Sequence, residues 1–177
     1  TKSVLEAVCN AERCIRLGVL TVRDAGCDHH GIFEVRSAIE TGRILGPRLF
    51  ACGHPVGITG GHALHMLQQA DGPYEVRKAV REELAWGADY IKLMVTGGAG
   101  GQYEEMSQVQ MTAEELAAGV EEAKKRSKRT LAHACNSEGA LLCVDAGVGS
   151  IEHGNILDNR ALDAMKKRDL FYVPTMH

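Results

Sequence analysis

Apolar positions recur near helical spacing between Ser3 and Leu17, at Val4, Leu5, Val8, Cys9, Ile15 and Leu17, and Gly18 stands where a C-terminal stop belongs. The chain is therefore expected to open on a helix. Val19 to Val22 is a short apolar run ending at Arg23-Asp24-Ala25-Gly26, the pattern of a buried strand that runs into a loop. Ile32 to Ile39 gives the next helix, stopped at Gly42. The same unit then returns. Arg48 to Ala51 is a strand after Pro47, a long Gly/His-rich loop covers Cys52 to His65, and Pro73 to Trp86 is an amphipathic helix closed by Gly87.

Tyr90 to Val95 is the third strand and leads into Thr96-Gly97-Gly98-Ala99-Gly100-Gly101. After a second long loop, Thr112 and Glu115 stand three apart as a capping box for a helix that reaches about Ser127. Thr130 to Ala134 is a strand, Glu138 to Asp145 a helix, Ser150 to Glu152 a strand, Asn159 to Arg168 a helix and Leu170 to Val173 a strand. Six strands alternating with helices imply parallel βαβ units buried on both faces, which leaves an eight-stranded (β/α)8 barrel or a doubly wound open sheet.

Polar residues able to do chemistry follow nearly every strand: Arg23 and Asp24, His54 and His62, Lys92, His133, His153, then Thr175 and His177. A barrel gathers strand C-termini around one face, whereas an open sheet concentrates its site at one switch point. The spread favours the barrel, with these six strands as its second to seventh.

Composition narrows the partners. The 177 residues are 45% hydrophobic and 24% charged, enough for one substantial core, so residues 1–177 read as one domain or part of one. Twenty basic against twenty-three acidic residues give a net charge of -3, which offers no footprint for nucleic acid or an anionic membrane. Small molecules or further copies of the chain are the expected partners. No apolar run approaches the ~20 residues of a membrane helix. Six cysteines without a C-x-x-C pair argue against a zinc ribbon or disulfide framework and suit a reducing, cytoplasmic setting.

Lys92, His133 and His153 each end an apolar strand, in Tyr-Ile-Lys-Leu-Met, Leu-Ala-His-Ala and Ser-Ile-Glu-His-Gly. Consecutive barrel strands would bring them to one rim, where two imidazoles suit zinc or a similar divalent ion. Taken singly, a strand-end histidine is equally explained by hydrogen bonding near the core. Lys92, cationic at its ordinary pKa of ~10.4, is equally explained as a salt-bridged barrel lysine.

Gly-Val-Leu-Thr-Val-Arg-Asp-Ala-Gly (18 to 26), Gly-Pro-Arg-Leu (46 to 49), Thr-Gly-Gly-His (59 to 62), Gly-Ala-Asp-Tyr-Ile-Lys (87 to 92), Ala-His-Ala (132 to 134), Ser-Ile-Glu-His-Gly (150 to 154) and Val-Pro-Thr (173 to 175) together resemble the amidohydrolase superfamily. The likeness is strongest to its imidazolonepropionase-like branch, which includes prolidase-like dipeptidases that cleave Xaa-Pro. The resemblance implies a (β/α)8 TIM barrel in which a carboxylated Lys92 bridges two divalent metal ions, zinc being the expected pair, with His133 and His153 binding the second. It further implies hydrolysis of an amide or related acyl bond, such as that of a dipeptide, by a water that the metals activate. His133 thus serves both metal and catalysis, and His62 is expected to point into the substrate pocket and to help hold the developing oxyanion.

The family's His-x-His pair on strand one and its strand-eight aspartate do not occur in this sequence, nor does its small β-sandwich domain, so the chain reads as an internal piece that would be inactive alone. A truncated barrel acting as a binding or structural module and an open-sheet enzyme of another class are the competing readings. Gly97 to Gly101 is not a phosphate loop, because the next helix waits until Thr112 behind Glu104 and Glu105. Gln102 to Gln110 reads instead as a mobile lid, with Tyr103 as a substrate contact. His29, His30, His54 and His65 read as ordinary loop histidines. Cys135 and Asn136 follow Ala-His-Ala where relatives commonly carry a second histidine, which alters the pocket beside the first.

Overall fold

In the computed structural model, residues 2–101 and 103–175 are described, so His177 and Gln102 lie outside the described residues. Six α-helices alternate with parallel strands: α1 (Lys2–Arg16), β1 (Thr21–Asp24), α2 (Gly31–Glu40), β2 (Arg48–Ala51), β3 (Val56–Gly57), β4 (Gln68–Gln69), α3 (Gly72–Trp86), β5 (Tyr90–Met94), α4 (Ala113–Lys125), β6 (Arg129–Asn136), α5 (Ser137–Ala146), β7 (Ser150–Ile156), α6 (Asn159–Lys167) and β8 (Phe171–Val173). Thr112 closes the capping box on α4 by accepting from the Glu115 amide, while the Glu115 carboxylate accepts from the Thr112 amide. Gly87, at φ 100°, ends α3 in the left-handed conformation.

β2 and β3 act as one barrel strand broken at Cys52-Gly53-His54-Pro55. The Asp89 amide, just before β5, donates to Ala51 O in β2, and Val56 in β3 pairs with Leu93 in β5. The neighbours therefore run in chain order, β1 to β2/β3 to β5 to β6 to β7 to β8, all parallel. A doubly wound sheet must reverse strand order at its switch point; apart from two-residue β4, which pairs with β3 on the side away from β5, the order is sequential. The chain is a segment of a TIM barrel with its helices outside.

Alternation along the strands separates two packing surfaces. Ile91, Leu93, Ala132, Ala134 and Ile151 face the helices in the main core, whereas Tyr90 and Leu131 pack with Cys52 on the barrel interior. On that interior Arg23 Nη2 of β1 lies 2.7 Å from Glu152 Oε2 of β7, and Arg23 Nη1 lies 3.2 Å from Ser150 Oγ. Only a strongly curved sheet lets its first strand reach its fifth.

Two expectations from the apolar pattern are corrected. The first strand begins at Thr21, with Val19 and Leu20 exposed, and it alternates between exposed and half-buried residues because it forms an edge. The loop after β2 is not structureless: Pro55 and Gly57 carbonyls accept from Gln68 and Ala70 amides, which builds the short β3 and β4 pair. Two-residue strands carry no readable alternation.

Candidate active site

Lys92 is the third residue of β5, and strand alternation turns it with Tyr90 and Met94 toward the barrel interior. It is 3% exposed there, beside the charges of Glu152 and Arg23 and the thiols of Cys52 and Cys135. Burial is the main cause that lowers its pKa, opposed chiefly by Glu152. Asp24, at the end of β1, faces the same group, and burial raises its carboxyl pKa while Lys92 and His29 pull it back. Arg23 turns inward to Glu152 and Ser150, so both residues of that strand-end pair act on Lys92 by charge, Arg23 from the barrel interior.

His133, in β6, is 4% exposed, and its imidazole pKa is lowered to about 3 by burial first, then by the charges of His62, His153 and Lys92. Its Nε2 lies 3.1 Å from Gly97 O and 3.3 Å from Cys135 Sγ. A carbonyl oxygen only accepts, so Nε2 carries the proton in that contact and Nδ1 keeps a lone pair. At neutral pH this is an uncharged imidazole, the state that a metal ligand needs.

His153 is the least regular member. Its neighbour Glu152 already points to the interior, so in an unbroken strand His153 would point outward. Its backbone instead adopts φ 75°, followed by Gly154 at φ 56°, and the β6 to β7 register shifts between Ala134 and Asn136. The rotation brings the His153 ring to 4.7 Å from that of His133, edge to face. Left-handed backbone at a non-glycine residue costs about 1–2 kcal/mol and collects at functional sites. His153 Nδ1 is 2.7 Å from Thr175 Oγ1, and Tyr172 donates to the His153 carbonyl, which fixes the ring from behind.

His62 reaches the same cluster from the loop after β3, its ring stacked 4.0 Å from that of His133. Its Nδ1 donates to Glu104 at 2.9 Å, and the Gly98 amide donates to the other Glu104 oxygen at 3.1 Å. Glu104 thereby ties residues 103–110 onto the site, and Val109 adds a bridge to Thr96. The loop expected to be a lid is anchored at both of these points among its described residues. Tyr103 is 89% exposed and lines, with His62, Leu64 and Glu104, a cleft of about 710 Å³ beside the cluster.

Lys92, His133 and His153 thus stand on three neighbouring parallel strands and converge at one end of the barrel, with His62 and Asp24 added by flanking segments. The donor chemistry fits divalent ions: imidazole nitrogens, that of His133 held neutral, a carboxylate, and a buried amine whose pKa is lowered. Asn136, which with Cys135 follows Ala-His-Ala, is occupied structurally. Its Oδ1 accepts from the Gly139 amide as the cap of α5, and its Nδ2 donates to Met106 O.

Glu104 and the group formed by His30, His54 and Glu83 were not singled out by the sequence. His30 and His54, read as ordinary loop histidines, both meet the buried Glu83 carboxylate, at 2.9 and 3.4 Å. The available signal was Glu83 itself, a charge on the apolar stripe of α3 with Val76, Ala79 and Val80. His65, by contrast, is exposed at the cleft rim.

Known proteins align with this architecture. A solved Xaa-Pro dipeptidase, with methionine bound in its active site, superposes with a TM-score of 0.91 at 36% identity, covering 97% of this chain and 46% of that one. A prolidase complexed with N-methylphosphonate-L-proline superposes with a TM-score of 0.90 at 32% identity, over 98% of this chain and 47% of that one. The ochratoxinase of Aspergillus niger is 30% identical over 167 residues, 80% of this chain and 35% of that protein. The chain therefore spans about a third of the curated relative and just under half of these solved chains. The model of the amidohydrolase family matches residues 7–175, and this chain belongs to that family.

Proposed function

We propose that this chain carries the Lys92, His133 and His153 part of a two-metal centre that hydrolyses an amide bond, with a dipeptide ending in proline as the first substrate to test. The observation that carries the reading is the rotation of His153, against the strand's own alternation, onto the ring of His133 near buried Lys92. Membership of the amidohydrolase family and the likeness to an Xaa-Pro dipeptidase, a prolidase and an ochratoxinase support the bond class.

Lys92 prepares its own modification in this scheme. Burial favours the neutral amine, whose lone pair bonds to the carbon of carbon dioxide while one N–H proton passes to water. The side chain becomes an anionic carbamate able to bridge two ions, zinc or a similar pair. His133 and His153 would hold one of them through imidazole nitrogens. A His-x-His pair and an aspartate, absent from this sequence, complete the family's ligand and base set, so residues 1–177 alone are not expected to turn over substrate. When bound, the ions supply Lewis acidity and lower the pKa of water.

Glu104 keeps a proton on His62 Nδ1, which leaves Nε2 for the substrate. Protonated there, His62 donates to the carbonyl oxygen as negative charge develops on it. Tyr103 and Leu64 line the cleft in which the rest of the substrate would lie. The reading is tested on the zinc-loaded protein encoded by the full reading frame that contains these 177 residues, assayed on Xaa-Pro dipeptides and N-acyl amino acids. Turnover that disappears in Lys92→Ala and partly returns in Lys92→Glu supports it; unchanged turnover in Lys92→Ala refutes it.

A further inference from the structure

His30, at the N-terminus of α2, His54, in the break between β2 and β3, and Glu83, on α3, meet behind the barrel wall. His30 Nε2 lies 2.9 and 3.1 Å from the two Glu83 oxygens and 3.1 Å from His54 Nδ1. His54 Nδ1 lies 3.4 Å from Glu83 Oε1. One proton serves this triangle only when shared among several acceptors. If His30 Nε2 carries the hydrogen, His54 Nδ1 turns either a lone pair toward the carboxylate or a second N–H toward the first. If His54 carries it, the bare His30 nitrogen faces two carboxylate oxygens. Each assignment leaves at least one of these contacts shared or facing a like group.

A cation resolves all of these contacts at once. Tetrahedral ligands at ~2.0–2.1 Å from zinc stand about 3.3 Å from one another, close to the 2.9 to 3.4 Å edges found here. The groups are also held in place. Glu83 is 1% exposed, and its Oε2 accepts from the His54 amide at 3.2 Å. Gly53, at φ 73°, lets the backbone pass against that carboxylate, where any Cβ would collide with it. Trp86 stacks on the His30 ring at 4.4 Å. A cleft of about 490 Å³ opens on the triad and is lined by Gln68, whose Oε1 is buried without a hydrogen-bond partner among the described residues.

We propose that His30 Nε2, His54 Nδ1 and Glu83 form a second metal site, separate from the Lys92 cluster, which binds one zinc-like divalent ion with its fourth position open to the Gln68 side of the cleft. Two imidazoles and one carboxylate select a borderline ion such as zinc or cobalt over calcium or magnesium. The ion clips α2 and α3 to the broken strand, and so steadies the root of the Thr59 to His62 loop. This site does not depend on the hydrolytic reading.

The experiment titrates Co2+ alone into chelator-stripped protein of the full reading frame carrying Lys92→Ala and His133→Ala, which removes the shared ligand and an imidazole of the barrel cluster. One equivalent is expected to give the intense visible bands of four-coordinate cobalt and to be displaced by Zn2+. Adding His54→Ala or Glu83→Gln is expected to weaken that binding at least ~10-fold, the least that losing even an outer-shell partner costs. Crystals of the parent soaked in Zn2+ need no substitution, and should show an anomalous peak within ~2.2 Å of the three ligand atoms. No cobalt bands in the parent, unchanged affinity in both variants, or an anomalous map without that peak would overturn the site.

Discussion

Arg23 Nη2 lies 2.7 Å from Glu152 Oε2 and ties the first strand of the segment to its fifth across the interior. Glu152 is almost fully buried, and its charge also acts on the Lys92 amine. Removing the carboxylate leaves the Arg23 guanidinium inside the barrel without its ion-pair partner. Glu152→Ala is expected to lower unfolding free energy by roughly 3 kcal/mol in urea denaturation. A loss under about 1 kcal/mol would mean that the pair is dispensable to the curvature of the sheet.

The backbone at His153 offers a test that separates stability from function. At φ 75°, glycine is at ease and alanine is not. His153→Gly should therefore be more stable than His153→Ala by about 1 kcal/mol, although glycine normally weakens a strand. Both should lose zinc affinity. Equal stabilities would show that the rotation carries no strain.

His133 makes metal-free stability depend on pH in a predictable direction. Its pKa is about 3 when folded, against ~6.5 when unfolded, so between these values the unfolded chain binds more protons at this position. Its contribution is fully present above pH ~6.5 and is lost as pH falls toward 3, at up to about 1.4 kcal/mol per unit. Urea titrations at several pH values in the presence of chelator should show a shallower acid slope in His133→Asn than in the parent. Identical slopes would contradict the buried, neutral imidazole.

His62 and Glu104 are expected to act as a unit, Glu104 holding Nδ1 so that Nε2 faces the substrate. His62→Ala should reduce kcat by about 100-fold, the size of effect seen when one oxyanion donor is removed. Glu104→Gln should reduce it less and shift the pH profile of kcat, because the imidazole loses the carboxylate that orients it. A variant pair that changes KM alone would place His62 in binding only.

Much of this was legible from residue pattern. Alternating apolar runs and punctuating glycines give the βαβ repeat, and Lys92, His133 and His153 stand out because each interrupts an apolar strand. The turn of His153 was not legible: alternation from Glu152 predicts the opposite face, and only a left-handed backbone reverses it. The broken strand at Cys52 to Pro55 escaped because two-residue strands leave no period. The triad of His30, His54 and Glu83 is scattered over three elements, and only Glu83, a charge on an apolar helix face, hinted at it. Glu104 sits in a glycine-rich loop whose course depends on the histidine it meets.

The central claim is that Lys92 belongs to a metal centre, and zinc affinity measures it most directly. Isothermal titration on a His54→Ala background removes the second proposed site, so that only the barrel cluster is read. With carbon dioxide supplied as bicarbonate, the protein of the full reading frame is expected to bind zinc, and Lys92→Ala to weaken that binding by at least ~10-fold. An unchanged dissociation constant in Lys92→Ala would contradict the account.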